Sequence, residues 1–576
     1  MFQVSATLNC DGYKTSHYRQ YSPRTQVVYS TWTPRKSRMA EVDKVVFFGL
    51  QYFIKDYLID SFNQTFFNRA KNEVIDEIKT VMKNYTNDEN TSHWEALHDL
   101  GYLPLKITAL PEGTLTPIRV PMFTIENTLP EFYWLTNFIE TILSTEIWKS
   151  MTSATIALKY RNILDKWAEK TCDDNSHVDY QGHDFSYRGM VGTDGGSCSG
   201  AGHLLSFKGT DTIPAILWLE KYYNAKNING SVGCSIPATE HSVAETNIIE
   251  IQEFLENNEV DIESIRIACC NNEITEDWIK SDTRRAAELL YMNRLLDVYP
   301  FGFFSYVADT YNLWSALTDI LPLLKNRIMS RDGRVVIRPD SGDPVDILCG
   351  LNTNDNYYYD DNLEDYSKVG LYKRGKDYVP QGCQPSSTWD KCENQEYARQ
   401  RYKGVIELLW DVFGGTINSK GYKVLDPHIG CIYGDAITLE RAEQICKRLE
   451  SKGFASSNVV LGIGSYTYNM NTRDTFGFAL KTTYGVVDGK ELLLYKDPIT
   501  DDGTKKSALG RVAVIEKDRE LQLVDGLYQK DWLGYHLSKT GEKDVMIDVF
   551  KDGKLLKDWT LDEIRDRVKG RVLTNV

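Results

Sequence analysis

A chain of 576 residues exceeds what one hydrophobic core usually supports, so two or more domains are expected. With 42% apolar and 26% charged residues it has a globular composition, and no apolar run is long enough to span a bilayer. A formal charge of -15 argues against sequence-independent binding to nucleic acid or anionic membrane, so any anionic ligand must meet a local basic pocket.

The start of the chain, residues 1–18, lacks the basic, apolar and small-residue segments of a secretory signal, so the cytoplasm is the expected location. Strand-like runs at 45–50 and 105–110 then mix with helical pattern, which predicts an N-terminal mixed α/β domain over residues 1–150. From about residue 180 the rhythm changes, as short apolar or aromatic runs end in Gly, Asp, Arg or Ser and give way to helical pattern. Four of these runs end in His183-Asp184-Phe185-Ser186-Tyr187-Arg188-Gly189, Phe207-Lys208-Gly209-Thr210-Asp211, Ser235-Ile236-Pro237-Ala238-Thr239-Glu240-His241 and residues 303–309. Three more are Val335-Val336-Ile337-Arg338-Pro339-Asp340, Cys431-Ile432-Tyr433-Gly434-Asp435 and Val459-Val460-Leu461-Gly462-Ile463-Gly464. Strands alternating with helices imply parallel pairing, and the reading is a barrel-like parallel α/β domain over residues 151–480, with its polar strand ends on one rim.

Within that domain Gly195-Gly196-Ser197-Cys198-Ser199-Gly200 lacks the lysine of a phosphate loop and reads as a tightly packed helix. Residues 345–402 turn Asn-, Asp- and Tyr-rich over a stretch too long for an ordinary loop, and are read as an insertion. The C-terminal segment, residues 481–576, alternates strand and turn before a helix opens at Thr560, with Glu563 completing a capping box. It is expected to pack on the N-terminal segment, the two forming a second mixed α/β domain.

Eleven cysteines, an odd number without a CxxC pair or a Cys/His cluster, argue against a disulfide framework or structural zinc, and no residue is assigned to a metal. The adjacent Cys269 and Cys270 read as buried filler. A Walker A sequence, GxGxxG after a strand, HExxH and GxSxG are all absent, which leaves the common triphosphatase, dinucleotide, zinc-protease and hydrolase readings without support.

The turn Arg338-Pro339-Asp340-Ser341-Gly342 offers a guanidinium, a carboxylate and a hydroxyl together at a strand end. Carboxylates suit vicinal diols and arginines suit phosphates, so a phosphorylated sugar is the expected ligand. Gly434-Asp435 repeats the arrangement, Gly464-Ser465 can bring backbone N–H groups against a phosphate, and Arg473, Lys481, Lys496, Lys505 and Lys506 add positive charge. Each alone reads more readily as a solvated charge or a turn glycine; their common position at strand ends reverses that and favours a site.

Together these residues resemble the nicotinamide phosphoribosyltransferases, a type II phosphoribosyltransferase family, almost end to end. The matching motifs, in the family's order, are Asp11-Gly12-Tyr13-Lys14, His17-Tyr18, Phe48-Gly49-Leu50-Gln51-Tyr52, Tyr133-Trp134-Leu135-Thr136-Asn137 and the 183–189 run. They continue through Phe207-Lys208-Gly209-Thr210-Asp211-Thr212, Glu240-His241-Ser242, the Arg338 turn, Thr472-Arg473-Asp474 and Lys496-Asp497-Pro498. The resemblance implies transfer of the phosphoribosyl group of phosphoribosyl pyrophosphate to nicotinamide, with Mg2+ held mainly through substrate phosphates and ATP as co-substrate. It also implies a homodimer with shared active sites, Phe185 stacking on the pyridine ring opposite Tyr13 of the other subunit. By the same resemblance Asp211 accepts from the carboxamide, and Asp340 and Asp435, with the Gly434 backbone, hold the ribose hydroxyls. Arg188, Arg338 and the run from Arg35 to Arg38 hold pyrophosphate, Ser305 and Asp309 line the cleft, and Gly464, Ser465, Arg473 and Lys481 cradle the 5-phosphate. His241 is the residue the family phosphorylates, with Glu240 placed to orient its ring. The chain departs from the pattern at Ser465-Tyr466, Ala436 and Ala479, where the family has two glycines, a glycine and a serine. A nicotinate phosphoribosyltransferase, or a non-catalytic nucleotide-binding protein on the same fold, is the rival reading.

Overall fold

The computed structural model describes residues 4–351, 371–374, 377–380, 391–434, 436–496, 499–500, 507–527 and 538–573. Asp435, Asp497, Pro498, Lys505, Lys506 and much of the 345–402 segment therefore lie outside the described residues. Two sheets organise the rest. The first is antiparallel and runs in the order Lys490–Leu493, Ala479–Val487, Thr25–Thr33, Phe123–Asn127, Leu105–Ala109, Ile547–Lys551, Lys554–Leu555. Its strands are rich in Val, Ile, Thr, Tyr and Trp, which suit a pleated, half-buried surface. Segments from the two ends of the chain interleave in it, as expected. The last hairpin turns on Asp552-Gly553, both with positive φ (49° and 77°), the geometry that a two-residue connection requires. The tail helix Leu561–Val568 opens with the expected reciprocal Thr560–Glu563 capping box and buries Leu561, Ile564 and Val568.

The second sheet is wholly parallel, in the order Gly209–Thr210, Gly182–Asp184, Val460–Ile463, Ile429–Tyr433, Asp332–Arg338, Phe301–Val307. Both of its edges meet the same segment. Cys234 bridges Gly209 on one side and Ala238 bridges Ser305 on the other, so residues 234–239 close the sheet into a barrel. Here the expectation of a regular strand is corrected. Pro237 has no N–H to give a ladder, and the stave is tied towards its two ends, by Cys234 N donating to Lys208 O at 2.8 Å and Cys234 O accepting from Thr210 N at 3.0 Å, and by Pro237 O accepting from Ser305 N at 2.8 Å and Thr239 N donating to Ser305 O at 3.0 Å.

A 32-residue helix, Glu140–Thr171, runs unbroken through residue 150 and serves both cores. Leu143, Ile147, Met151 and Ala154 face the first, while Tyr160, Leu164 and Trp167 face the second. The glycine-rich segment forms the helix Gly192–His203, packed closely as expected: a Cβ on Gly202 would lie 2.7 Å from Ser150 O, and one on Gly200 2.7 Å from Ala215 Cβ. Cys269 is buried, whereas Cys270, in left-handed conformation past the end of the helix Ile262–Cys269, is exposed, so the filler reading holds for the first alone. Among the described residues no helix is long and apolar enough to cross a membrane.

Candidate active site

Side chains alternate along Asp332–Arg338, so Val335 and Ile337 pack outward while Arg334, Val336 and Arg338 line the barrel interior. At the strand's end the chain turns. Asp340 N donates to Asp309 Oδ2 at 2.9 Å, and the Gly342 carbonyl, at φ 95°, accepts from Tyr433 Oη at 2.9 Å. Asp343 then caps the helix Pro344–Cys349. The neighbouring strand ends in a glycine, and a Cβ on Gly434 would sit 1.8 Å from Asp340 Oδ1, so a side chain there would displace the carboxylate.

His241 is the first residue of the helix His241–Asn257. Its Nδ1 lies 3.1 Å from Thr310 Oγ1, and its Nε2 lies 3.9 Å from Asp309 Oδ1 and 3.8 Å from Asp340 Oδ2. Glu240 does not orient the ring: its Oε1 accepts from Ser242 Oγ at 2.6 Å, and Thr310 holds the imidazole instead. Asp309 Oδ1 is buried without a hydrogen-bond partner among the described residues. Two carboxylates and an imidazole thus share one rim of the barrel.

Below that rim lies a cavity of about 460 Å³, lined at this end by His183, Phe185, Asp211, Ser235, Ser305 and Arg338. Gly462 makes room for the Phe185 ring, whose Cδ2 is 2.8 Å from where a Cβ would stand. The ring is 4.5 Å from that of His183, tilted by 38°. Asp211 Oδ1 is 2.9 Å from His183 Nε2 and accepts from Ser235 Oγ at 2.5 Å. Burial works to raise the Asp211 carboxyl, but the His183 and Ser235 hydrogen bonds, with Arg338 nearby, hold it below the usual carboxylate range. Arg338 Nη2 donates to Thr239 O at 3.1 Å; its Nε and the Ser305 hydroxyl are buried without partners among the described residues. A flat ring carrying one polar group would meet an aromatic face, a carboxylate and two unused polar atoms there.

The other expected residues gather in two further places. Lys481, on Ala479–Val487, lies 3.7 Å from Glu140 Oε1; burial, with Arg35, Lys496 and Lys14 close by, holds its amine below the usual range against the opposing pull of Glu140. Arg35 Nε donates to Gly477 O at 2.9 Å, which fixes its arm beside the same strand. The turn Tyr187–Gly189 presents Arg188 to solvent, and Gly189 packs against the Ser465 hydroxyl, so Arg188 and Gly464-Ser465 neighbour one another. Arg473 is half exposed and 3.4 Å from Asp474 Oδ1. Tyr13 is 60% exposed, its ring beside His17 and Lys14 of its own segment. Sequence reasoning missed His183, Ser235, Thr239, Thr310 and Glu140. Of these, His183, Ser235 and Thr239 stood within the strand-end runs and could have been found there.

Residues 180–531 match the model of the nicotinate phosphoribosyltransferase (NAPRTase) family, and residues 5–107 that of the nicotinamide phosphoribosyltransferase N-terminal domain. A nicotinamide phosphoribosyltransferase from Acinetobacter baylyi is 42% identical over 98% of this chain and 97% of its own. One from Xanthomonas campestris is 29% identical over 97% of each. Among solved structures, human nicotinic acid phosphoribosyltransferase aligns with 97% of this chain and 92% of its own, at 14% identity and a TM-score of 0.49.

Proposed function

The chain belongs to the NAPRTase family, and from its site we infer that it transfers the phosphoribosyl group of phosphoribosyl pyrophosphate to nicotinamide, giving nicotinamide mononucleotide and pyrophosphate. The observation that carries the choice of nicotinamide is Asp211, a carboxylate at the wall of the cavity that Phe185 also lines, hydrogen-bonded to His183 and Ser235. An ionised carboxylate accepts a hydrogen bond from an amide NH2 and repels the carboxylate of nicotinate.

In this reading the pyridine ring stacks on Phe185, and its amide meets Asp211 with Arg338 and Ser305 at hand. The ribose hydroxyls lie against Asp340, Asp435 and Gly434. Arg188, Arg35 and Lys481, with Arg473 and the Gly464-Ser465 turn, receive the phosphates. As the bond from the anomeric carbon to pyrophosphate breaks, positive charge develops on the sugar; Asp309 and Asp340, fixed to each other by the Asp340 N–Asp309 Oδ2 hydrogen bond, are two anionic groups on that rim. The ring nitrogen then forms the new bond. The protein's work is placement and charge stabilisation.

The magnesium ion is read as one carried chiefly by the substrate phosphates. The unpartnered Asp309 Oδ1 is a hard oxygen of the kind magnesium takes. When bound, the ion neutralises the leaving pyrophosphate. ATP is read as a co-substrate acting through His241, whose Nε2 is the nitrogen turned towards the two carboxylates.

Pyrophosphate release with phosphoribosyl pyrophosphate and magnesium tests the reading, run with nicotinamide or nicotinate, with and without ATP. Turnover of nicotinamide, raised by ATP, is the expected result. No product under any condition would reject transfer, and faster turnover of nicotinate would reject the choice of ring.

A further inference from the structure

We propose that His183 and Ser235 are positioning residues that make Asp211 a discriminator between an amide and a carboxylate on the ring, an inference that rests on the transfer reaction above. Both donors converge on the same atom. His183 Nε2 is 2.9 Å from Asp211 Oδ1, and Ser235 Oγ donates to that oxygen at 2.5 Å. Oδ2 accepts no hydrogen bond among the described residues, and the side chain is 48% exposed and lines the cavity. Two donors on one oxygen fix the rotation of the carboxylate and leave the other oxygen to the ligand.

The three residues come from three adjacent staves. His183 lies on Gly182–Asp184, Asp211 follows Gly209–Thr210, and Ser235 belongs to the closing segment. The Asp211 backbone is itself tied to its neighbour, its N donating to Asp184 O at 3.0 Å. His183 is buried and held in place: a Cβ on Gly209 would come within 2.8 Å of its Nδ1, and Phe185 stands against its ring. One imidazole therefore braces both the stacking ring and the carboxylate.

The donors also favour the ionised form of Asp211. Burial favours the neutral acid, and the hydrogen bonds oppose it. Loss of His183 therefore acts on the choice of ring more than on the handling of phosphate.

The test is the ratio of kcat/KM for nicotinamide to that for nicotinate, with phosphoribosyl pyrophosphate and magnesium, for the parent, His183→Ala, His183→Gln and Ser235→Ala, each checked by thermal unfolding. In His183→Ala the ratio should fall at least ~10-fold, the scale of a lost hydrogen bond to a charged group. KM for nicotinamide should rise, while KM for phosphoribosyl pyrophosphate stays within about twofold. His183→Gln, which carries an N–H donor at a similar reach, should recover most of the ratio, and Ser235→Ala should lower it less than His183→Ala. An unchanged ratio in His183→Ala, or an equal loss with both rings, overturns the positioning role. If His183→Ala does not fold, Ser235→Ala decides by the same criterion. A parent without turnover, or one that prefers nicotinate, instead overturns the transfer reading.

Discussion

His241 shows how one side chain is given a direction. Thr310 Oγ1 takes Nδ1 at 3.1 Å, which turns Nε2 towards Asp309 and Asp340. His241→Ala is expected to keep some transfer activity and to lose stimulation by ATP; pyrophosphate release that ATP raises equally in variant and parent would remove the assignment. Ala436 raises a different residue-scale question. It occupies the left-handed region at φ 62°, where a Cβ is disfavoured and where the resemblance expects glycine. Ala436→Gly should therefore stabilise the protein by about 0.5–1 kcal/mol, the left-handed penalty less the added chain freedom of glycine. A melting temperature that stays level or falls would contradict this. Such pairings differ in how far the sequence reveals them. Arg338 facing inward follows from period-two alternation along its own strand. His183 meeting Asp211 does not, because the partners are 28 residues apart and meet only once two strands are known to be neighbours.

Elements that carry their own signals could be read directly. The Thr560–Glu563 box stands where expected, and the Asp552-Gly553 turn is local chemistry of the same kind. Residues 235–241 misled because apolar residues ending in polar ones promise a strand, whereas Pro237 and the long reach across the barrel leave only two bridges. Long-range ties were invisible. Glu112, fully buried in the loop after Leu105–Ala109, accepts from Gly49 N at 2.9 Å, Gln51 N at 2.6 Å and Tyr223 Oη at 2.8 Å. Gln51 in turn clasps the tail, with Trp559 N donating to its Oε1 at 2.7 Å and its Nε2 donating to Trp559 O at 2.9 Å. Glu112→Gln keeps the shape but turns an amide N–H towards backbone donors, and should cost about 2–3 kcal/mol by leaving at least one buried group unpaired. Thermal unfolding reads this; a melting temperature equal to the parent's would mean that the tie contributes little.

At the scale of the whole molecule, the site as drawn from one chain has one aromatic face. Phe185 lies in the cavity wall, while Tyr13 stands exposed on the first segment beside His17 and Lys14. Large apolar side chains are also exposed on elements packed around the barrel mouth: Val191 before the glycine helix, Ile213 and Leu217 on the helix beside it, and Met470 next to the turn that meets Gly189. A rim of that kind suits burial against a second copy, and the shared-site arrangement requires such a contact to bring each Tyr13 to the other chain's cavity. Mixing two inactive variants tests this. With Tyr13→Ala and Phe185→Ala subunits dissociated and reassembled at equal amounts, about half of the dimers are mixed, and each mixed dimer holds one site with both aromatic rings intact. Activity should then rise to roughly a quarter of the parental value, because one site in two is whole in half of the dimers. If each chain instead completes its own site, the mixture shows only the average of the two variants, and the shared arrangement fails.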